Sequence, residues 1–272
     1  MSSSRTPSGI AVERAGPPSG IPVVLLHAGI ADRRMWDPQW AALTAARDAV
    51  RLDLRGFGGS ERPPAGALDP VADVLATLDH LGVSSCHLVG SSLGAGVAVE
   101  VALTAPDAVR SLLLAPPGGS LLTERTPAFA AFAAAENAAL ARGDLDSAVE
   151  ANLDAWVAGE GRTLADVDAT VVSAVRAMER RAFEIDAAWT DPDLDQVELD
   201  PPAVDRLGDV GAQVLLVLGG HDLDIVLLAA GALVARLPDV RRVDRPDVAH
   251  LPSMEEPEVF LRLLLDWVAA QD

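Results

Sequence analysis

The sequence predicts a doubly wound, mostly parallel α/β sheet with an inserted block of helices, on three observations. Short continuous apolar runs such as Val23-Val24-Leu25-Leu26 and Leu112-Leu113-Leu114 have the pattern of strands buried on both faces. They alternate with stretches of helical apolar spacing, which implies right-handed crossovers between parallel strands. The alternation stops over residues 121–190, where only helical patterns occur, and resumes at Val214. The expected layout is a core of residues 1–120 and 203–272 carrying a helical cap at 121–202.

Taken in order, residues 10–15 read as a short edge strand followed by the turn Gly16-Pro17-Pro18-Ser19-Gly20. The buried strand 23–26 ends in the loop His27-Ala28-Gly29, and a helix is expected over 36–46. Residues 49–54 form the next strand, ending in Arg55-Gly56-Phe57-Gly58-Gly59-Ser60. That glycine cluster is no dinucleotide fingerprint: Glu61 replaces the last glycine, and Pro63-Pro64 stand where a helix should open. Residues 69–81 place Val71, Val74, Leu75 and Leu78 at helical spacing and stop at Gly82. A strand at 86–89, a helix at 95–105 and a strand at 112–114 follow. The cap reads as helices over 127–141, 145–157 and 164–189, separated by Gly143-Asp144 and Gly159-Glu160-Gly161, with a return segment over 191–202. The strand 214–218 ends in Gly219-Gly220-His221-Asp222. A helix over 225–237, a strand over 240–243, a loop holding His250 and a helix over 256–270 complete the chain.

Composition narrows the function. Half of the 272 residues are apolar, enough for a substantial core and too many for disorder. Net charge is −19, which disfavours nucleic-acid partners and anionic membrane surfaces. All 21 basic residues are arginine, so a Schiff-base lysine, a Walker lysine and a Ser-Lys dyad are excluded. Cys86 is the one cysteine and is read as a packing residue; a chain without an internal disulfide suits a reducing compartment. The first nine residues lack an apolar signal core, and no run approaches about 18 apolar residues. The chain is therefore expected to be soluble and cytoplasmic.

The chemistry centres on Gly90-Ser91-Ser92-Leu93-Gly94, between an apolar strand and a helical stretch. Strand, sharp turn and helix are the context in which Gly-x-Ser-x-Gly presents a nucleophile, and only Ser92 has glycines two residues away on both sides. A serine hydroxyl needs a base to take its proton and an acid to orient that base. Ser92, Asp222 and His250 each follow a different strand, so all three fall at the carboxyl end of a parallel sheet, where ligands bind. His80 lies in a helix, His87 in a strand, His27 at the start of a loop, and His221 points away if Asp222 points in. Asp224 reads as the cap of the helix that follows.

With these segments in view, the chain resembles the α/β-hydrolase-fold group of esterases, enol-lactonases and C–C hydrolases. The resemblance rests on Leu25-Leu26-His27-Ala28-Gly29 followed by Trp36, on Asp53 to Ser60, on Gly90 to Ala95, and on the segments around Asp222 and His250. It implies Ser92 as nucleophile, His250 as base, Asp222 as orienting acid, and the backbone N–H groups of Gly29 and Leu93 as oxyanion donors. Ala28 departs from the family's usual glycine and fits only if the loop needs no positive φ there. No cofactor or metal is implied.

The implied activity is cofactor-independent hydrolysis of a small-molecule carboxylic ester or lactone through an acyl-enzyme. The alternatives are C–C hydrolysis of a β-diketone-like substrate with the same triad, and a non-catalytic ligand-binding protein on this fold. The cap's large rings, Phe129, Phe132, Trp156, Phe183 and Trp189, suggest a neutral, apolar substrate of modest size. Arg176, Arg180 and Arg181 share a helix face and read as solvated, and Trp36 reads as packing.

Overall fold

In the computed structural model, which describes residues 2–18, 20–189 and 194–272, eight strands form one sheet. They are β1 (Ser2–Arg5), β2 (Ala11–Ala15), β3 (Val23–Leu26), β4 (Ala49–Leu52), β5 (Cys86–Ser92), β6 (Val109–Pro117), β7 (Gln213–Gly219) and β8 (Val240–Arg245). Their order is β1-β2-β4-β3-β5-β6-β7-β8. The first two pairings, β1 with β2 and β2 with β4, are antiparallel and every other pairing is parallel. The doubly wound reading therefore holds, with one antiparallel edge. Strand β1 is absent from the sequence reading because Ser2-Ser3-Ser4-Arg5 has no apolar alternation; its backbone pairing with β2 makes it a strand.

Nine α-helices are present among the described residues: α1 (Asp37–Ala46), α2 (Pro70–His80), α3 (Leu93–Thr104), α4 (Pro127–Leu140), α5 (Leu145–Asn152), α6 (Ala169–Ala188), α7 (Asp224–Arg236), α8 (Pro252–Glu255) and α9 (Pro257–Gln271). Helix α2 begins where its cap dictates, because the Asp69 carboxylate accepts from Ala72 N at 2.8 Å. Helix α3 is apolar except for Glu100 and Thr104, and most of it is buried.

Two expected cap helices are shorter than their sequence patterns. Helix α5 stops at Asn152, and Leu153–Ala158 winds as a π-helix. The pattern over 164–189 divides at Asp168, whose carboxylate accepts from Thr170 N at 2.7 Å and starts α6. Before it, Leu164–Asp166 is a separate 3-10 turn closed by a Thr163/Asp166 capping box. At Thr163 to Asp168 short polar side chains compete for the backbone, a choice that apolar periodicity does not register. The return segment runs partly through residues 191–193, outside the described residues; beyond them, Gln196 bridges to Leu68 in the β4–α2 loop.

Parallel register aligns the ends of the central strands. Leu26 pairs with Gly90, Gly90 with Leu114, and Leu114 with Leu216. The loops that carry His27 to Gly29, Ser92, Gly118 and Asp222 therefore leave the sheet at one level. Asp53 ties the first of these loops to the loop after β4. Its carboxylate accepts from Arg33 N at 2.8 Å and Gly59 N at 2.7 Å and pairs with the Arg33 guanidinium. Ser60 Oγ completes the knot by donating to Asp53 O at 2.7 Å while accepting from Ala11 N at 2.8 Å. These bonds account for the Asp53 to Ser60 motif as structural.

The remaining residues singled out in the sequence fall into place on the same terms. Trp36 is fully buried against Phe260, with ring centroids 5.9 Å apart. Burial pushes the Cys86 thiol up to about 12, so it stays protonated and packs. No helix of the described residues is long and apolar enough to cross a membrane.

Candidate active site

The elbow works through crowding as much as through glycine flexibility. Ser92 itself takes the left-handed backbone, with φ +51°, and is the one non-glycine residue with positive φ among the described residues. A methyl group on Gly90 would lie 2.3 Å from Gly94 O, and one on Gly94 would lie 2.6 Å from His27 O. The glycines are therefore required because strand and helix backbones touch across the turn, while the strained residue is the serine, held there by its surroundings.

Opposite this turn, His250 and Asp222 are each 1% exposed. His250 Nδ1 donates to both Asp222 oxygens at 2.9 Å, and Asp222 Oδ1 also accepts from Leu223 N at 2.9 Å. That network assigns the proton to Nδ1 and leaves Nε2 as a lone-pair acceptor. His221 turns the other way, its Nδ1 bonding the Glu160 carbonyl at 2.8 Å. Asp224 does not cap α7 as expected: it lies inside the first turn, accepting from Ile225 N at 2.8 Å, and Leu223 holds the cap position.

The π-helical stretch Leu153–Ala158 helps to hold the histidine. Trp156, in the π-helical stretch, stacks on the His250 ring with centroids 4.5 Å apart, and its carbonyl accepts from His250 N at 3.3 Å. Such π-helical insertions re-aim side chains at functional sites. The nearly buried Arg162 extends the hold: it binds Glu255 Oε2 at 2.8 Å, while Glu255 Oε1 accepts from Ala249 N, one residue before His250.

Ser92 and His250 open into one cavity of ≈ 480 Å³, which Gly29 and Leu93 also line. A methyl group on Gly29 would sit 3.6 Å from Leu93 Cβ, so these two backbones are neighbours. Ala28 is accommodated without positive φ. The loop is fixed by buried His27, whose Nδ1 donates to Ala28 O at 2.8 Å and whose Nε2 accepts from Leu54 N at 2.9 Å. Desolvation holds His27 below its ordinary pKa, consistent with a neutral imidazole making both bonds. Sequence reasoning placed His27 only at a loop start and missed this role.

Of the five cap rings, Trp156, Phe183 and Trp189 line the cavity; Phe129 and Phe132 pack behind Trp156 instead. Arg176, Arg180 and Arg181 form exposed ion pairs, with Glu150, with Asp146 and Glu184, and with Glu61. They do not line the cavity.

Gly118 was also missed. Its φ of −172° is open to any residue, but a methyl there would fall 2.6 Å from both Ser92 Cα and Oγ. Gly118→Ala is expected to displace the hydroxyl and lower kcat/KM about 10²-fold on an ester substrate, a comparison that steady-state kinetics of the two proteins makes directly. An unchanged kcat/KM would mean that the elbow tolerates movement.

A second missed feature is acidic. Glu136 and Glu179 line the cavity, and Asn152 Nδ2 donates to Glu136 Oε1 at 2.6 Å. Burial, reinforced by the charge of Glu136, pushes the Glu179 carboxyl up to about 8 from 4.5. Between these two values the folded chain keeps a proton that the unfolded chain has released, so stability falls as pH rises across that window. The penalty, absent below it and complete above about pH 8, is at most about 5 kcal/mol. Glu179→Gln is accordingly expected to raise Tm at about pH 9 and to leave it nearly unchanged at about pH 4, as thermal melts would record. Equal effects at both pH values would contradict this. The signal in the sequence was an interrupted stripe: Val172, Val175 and Glu179 recur at helical spacing, with an acid where an apolar residue is expected.

Comparison with known proteins places the chain among hydrolases of one fold. Over 259 residues, 92% of this chain and 95% of the relative, the sequence is 27% identical to the putative carbamate hydrolase RutD of Pseudomonas savastanoi pv. phaseolicola. A shorter match, 42% identical over 101 residues, is to the dihydrolipoyllysine-residue acetyltransferase component of an acetoin cleaving system of Pseudomonas putida. It spans 36% of this chain and 27% of that protein. Among solved structures, a hydrolase from Pseudomonas aeruginosa PA01 superposes with TM-score 0.76 and 27% identity, covering 98% of this chain and 97% of the other. The enol-lactonase from Burkholderia xenovorans LB400 shares the fold, with TM-score 0.73 and 19% identity over 96% of each chain. The sheet order, the strained serine between strand and helix, and a match to the family over residues 23–263 agree: this chain belongs to the alpha/beta hydrolase family.

Proposed function

We propose that the chain is a serine hydrolase that cleaves carboxylic esters or lactones through an acyl-enzyme on Ser92. The observation that carries this reading is the strained Ser92 facing a cavity shared with His250, whose far nitrogen is bound to buried Asp222. Binding alone would need neither the strain nor the buried His–Asp pair. In this reading residues 121–202 act as the cap over a core of 1–120 and 203–272, supplying Trp156, Phe183 and Trp189 to the cavity.

In the first half of the cycle Ser92 Oγ bonds to the acyl carbon while its proton passes to His250 Nε2. Asp222 stabilises the imidazolium, and the N–H groups of Leu93 and Gly29 receive the oxyanion. Collapse breaks the acyl–oxygen bond, and the departing alkoxide takes the proton from His250. In the second half His250 deprotonates a water, which attacks the acyl-enzyme. Collapse then returns the proton to Ser92 Oγ and releases the carboxylic acid. With a lactone, the leaving alcohol remains attached to the acid. The enol-lactonase of the same fold makes lactones a bond to include in tests, and the name of the RutD relatives adds carbamates.

Treatment with a fluorophosphonate followed by peptide mass spectrometry is expected to find the adduct on Ser92. An adduct on Ser91, or none in a protein that hydrolyses esters, would refute the assignment. A panel of esters, lactones, carbamates and β-diketones then separates the bond classes by kcat/KM.

A further inference from the structure

The cavity combines apolar walls with acidic groups for which the hydrolytic cycle has no use. Helix α6 presents Glu179, Ala182, Phe183 and Asp186 to it, and α4 presents Glu136. Glu179 is 4% exposed, yet its Oε2 has no hydrogen-bond partner among the described residues. The one arginine that lines the cavity, Arg55, is already committed. Its guanidinium grips Asp73 at 2.7 and 2.5 Å and donates to the carbonyls of Ser8 and Arg62.

A buried carboxyl oxygen without a partner is a standing cost to the fold, and an apolar residue would complete the stripe of Val172 and Val175 without it. A ligand removes that cost if it brings hydrogen-bond donors and positive charge together. A hydroxyl brings one donor and no charge, so Glu179 stays protonated beside Glu136. An ammonium brings three donors and the positive charge that lets both carboxyls ionise together. The surrounding rings Phe57, Phe183, Trp156 and Trp189 suit its alkyl neighbours and can present faces to the charge.

We propose that Glu136 and Glu179 form a subsite for a protonated amine, so that the esters or lactones cleaved at Ser92 are amine-bearing. This rests on the assignment of Ser92 above and names the substrate class of the same site. Burial and the Glu136 charge raise the Glu179 carboxyl, and a bound ammonium would return it toward the ordinary range.

The test separates binding from turnover. Hexylammonium chloride is expected to raise Tm and to slow fluorophosphonate labelling of the wild-type protein, whereas 1-hexanol and sodium chloride at equal concentration are not. Glu179→Gln and Glu136→Gln should each abolish the hexylammonium effect. In turnover, kcat/KM for methyl 6-aminohexanoate should exceed that for methyl heptanoate, in which methyl replaces ammonium, at least about tenfold. That ratio should fall toward one in Glu179→Gln. A missing hexylammonium effect, one that survives both substitutions, or a wild-type ester ratio near one overturns the subsite. Labelling at Ser92 without the hexylammonium effect refutes the subsite alone. The converse, a Glu179-dependent hexylammonium effect without Ser92 labelling, refutes the nucleophile and keeps the subsite.

Discussion

Ser92→Ala is expected to reduce kcat on any ester the protein turns over by roughly 10⁶-fold. The loss is this large because no neighbouring group can replace the hydroxyl. Ser91 lies on the same strand but is fully buried, with its Oγ lacking a partner, and it does not line the cavity. Removing Oγ should leave a residual rate above that in water, since the backbone donors and the cavity persist. Alanine at a φ of +51° keeps the same strain as serine, so the variant should fold and melt close to the wild type. The measurement is single-turnover and steady-state kinetics of both proteins, with Ser91→Ala as the control. A Ser91→Ala loss equal to that of Ser92→Ala would move the nucleophile, and a Ser92→Ala loss under about tenfold would remove it.

Asp222→Asn should lower kcat by roughly 10⁴-fold. Both carboxylate oxygens of Asp222 accept the same Nδ1 proton, so the carboxylate selects the tautomer that, in the proposed cycle, leaves His250 Nε2 free to take the serine proton. An asparagine amide turned toward Nδ1 would donate instead of accept and would favour the opposite tautomer. It would also withdraw the negative charge that stabilises the imidazolium in a buried site, where little solvent can substitute. Asp224→Asn is the paired control. Among the described residues its carboxylate bonds only the adjacent Ile225 N–H in α7, so its effect should be confined to a small loss of stability. Kinetics of the two variants on one ester decide the matter, and comparable losses in both would cancel the distinction between them.

The catalytic candidates were legible because each occupies a position that local rules mark. Ser92 has glycines on both sides, Asp222 follows the Gly219-Gly220 turn, and His250 stands in the loop after the last strand. The acidic subsite was not legible. Glu136 and Glu179 are separated by 43 residues and meet only because α4, α5 and α6 pack together around Asn152. In one dimension each is an ordinary helical glutamate, and ordinary helical glutamates face water. Arg181 shows the same limit from the other side: its exposed pairing with Glu61 spans 120 positions of the chain.

By itself the sequence determined the alternation of strands and helices, the interruption by a helical block, and the chain order of the candidate serine, acid and base. These follow from periodicity, turn residues and caps, which act between neighbours in the chain. Only the tertiary structure decided that β1 is a strand, that α5 gives way to a π-helix carrying Trp156 onto His250, and that Glu179 faces the cavity. Each of those depends on contacts between segments far apart in the chain, where the free energy of burial and pairing overrides local preference. The acidic lining is the plainest case. The residue that breaks the apolar stripe of α6 reads as a solvent-exposed acid until packing closes over it, and burial then makes it a costly group in the cavity.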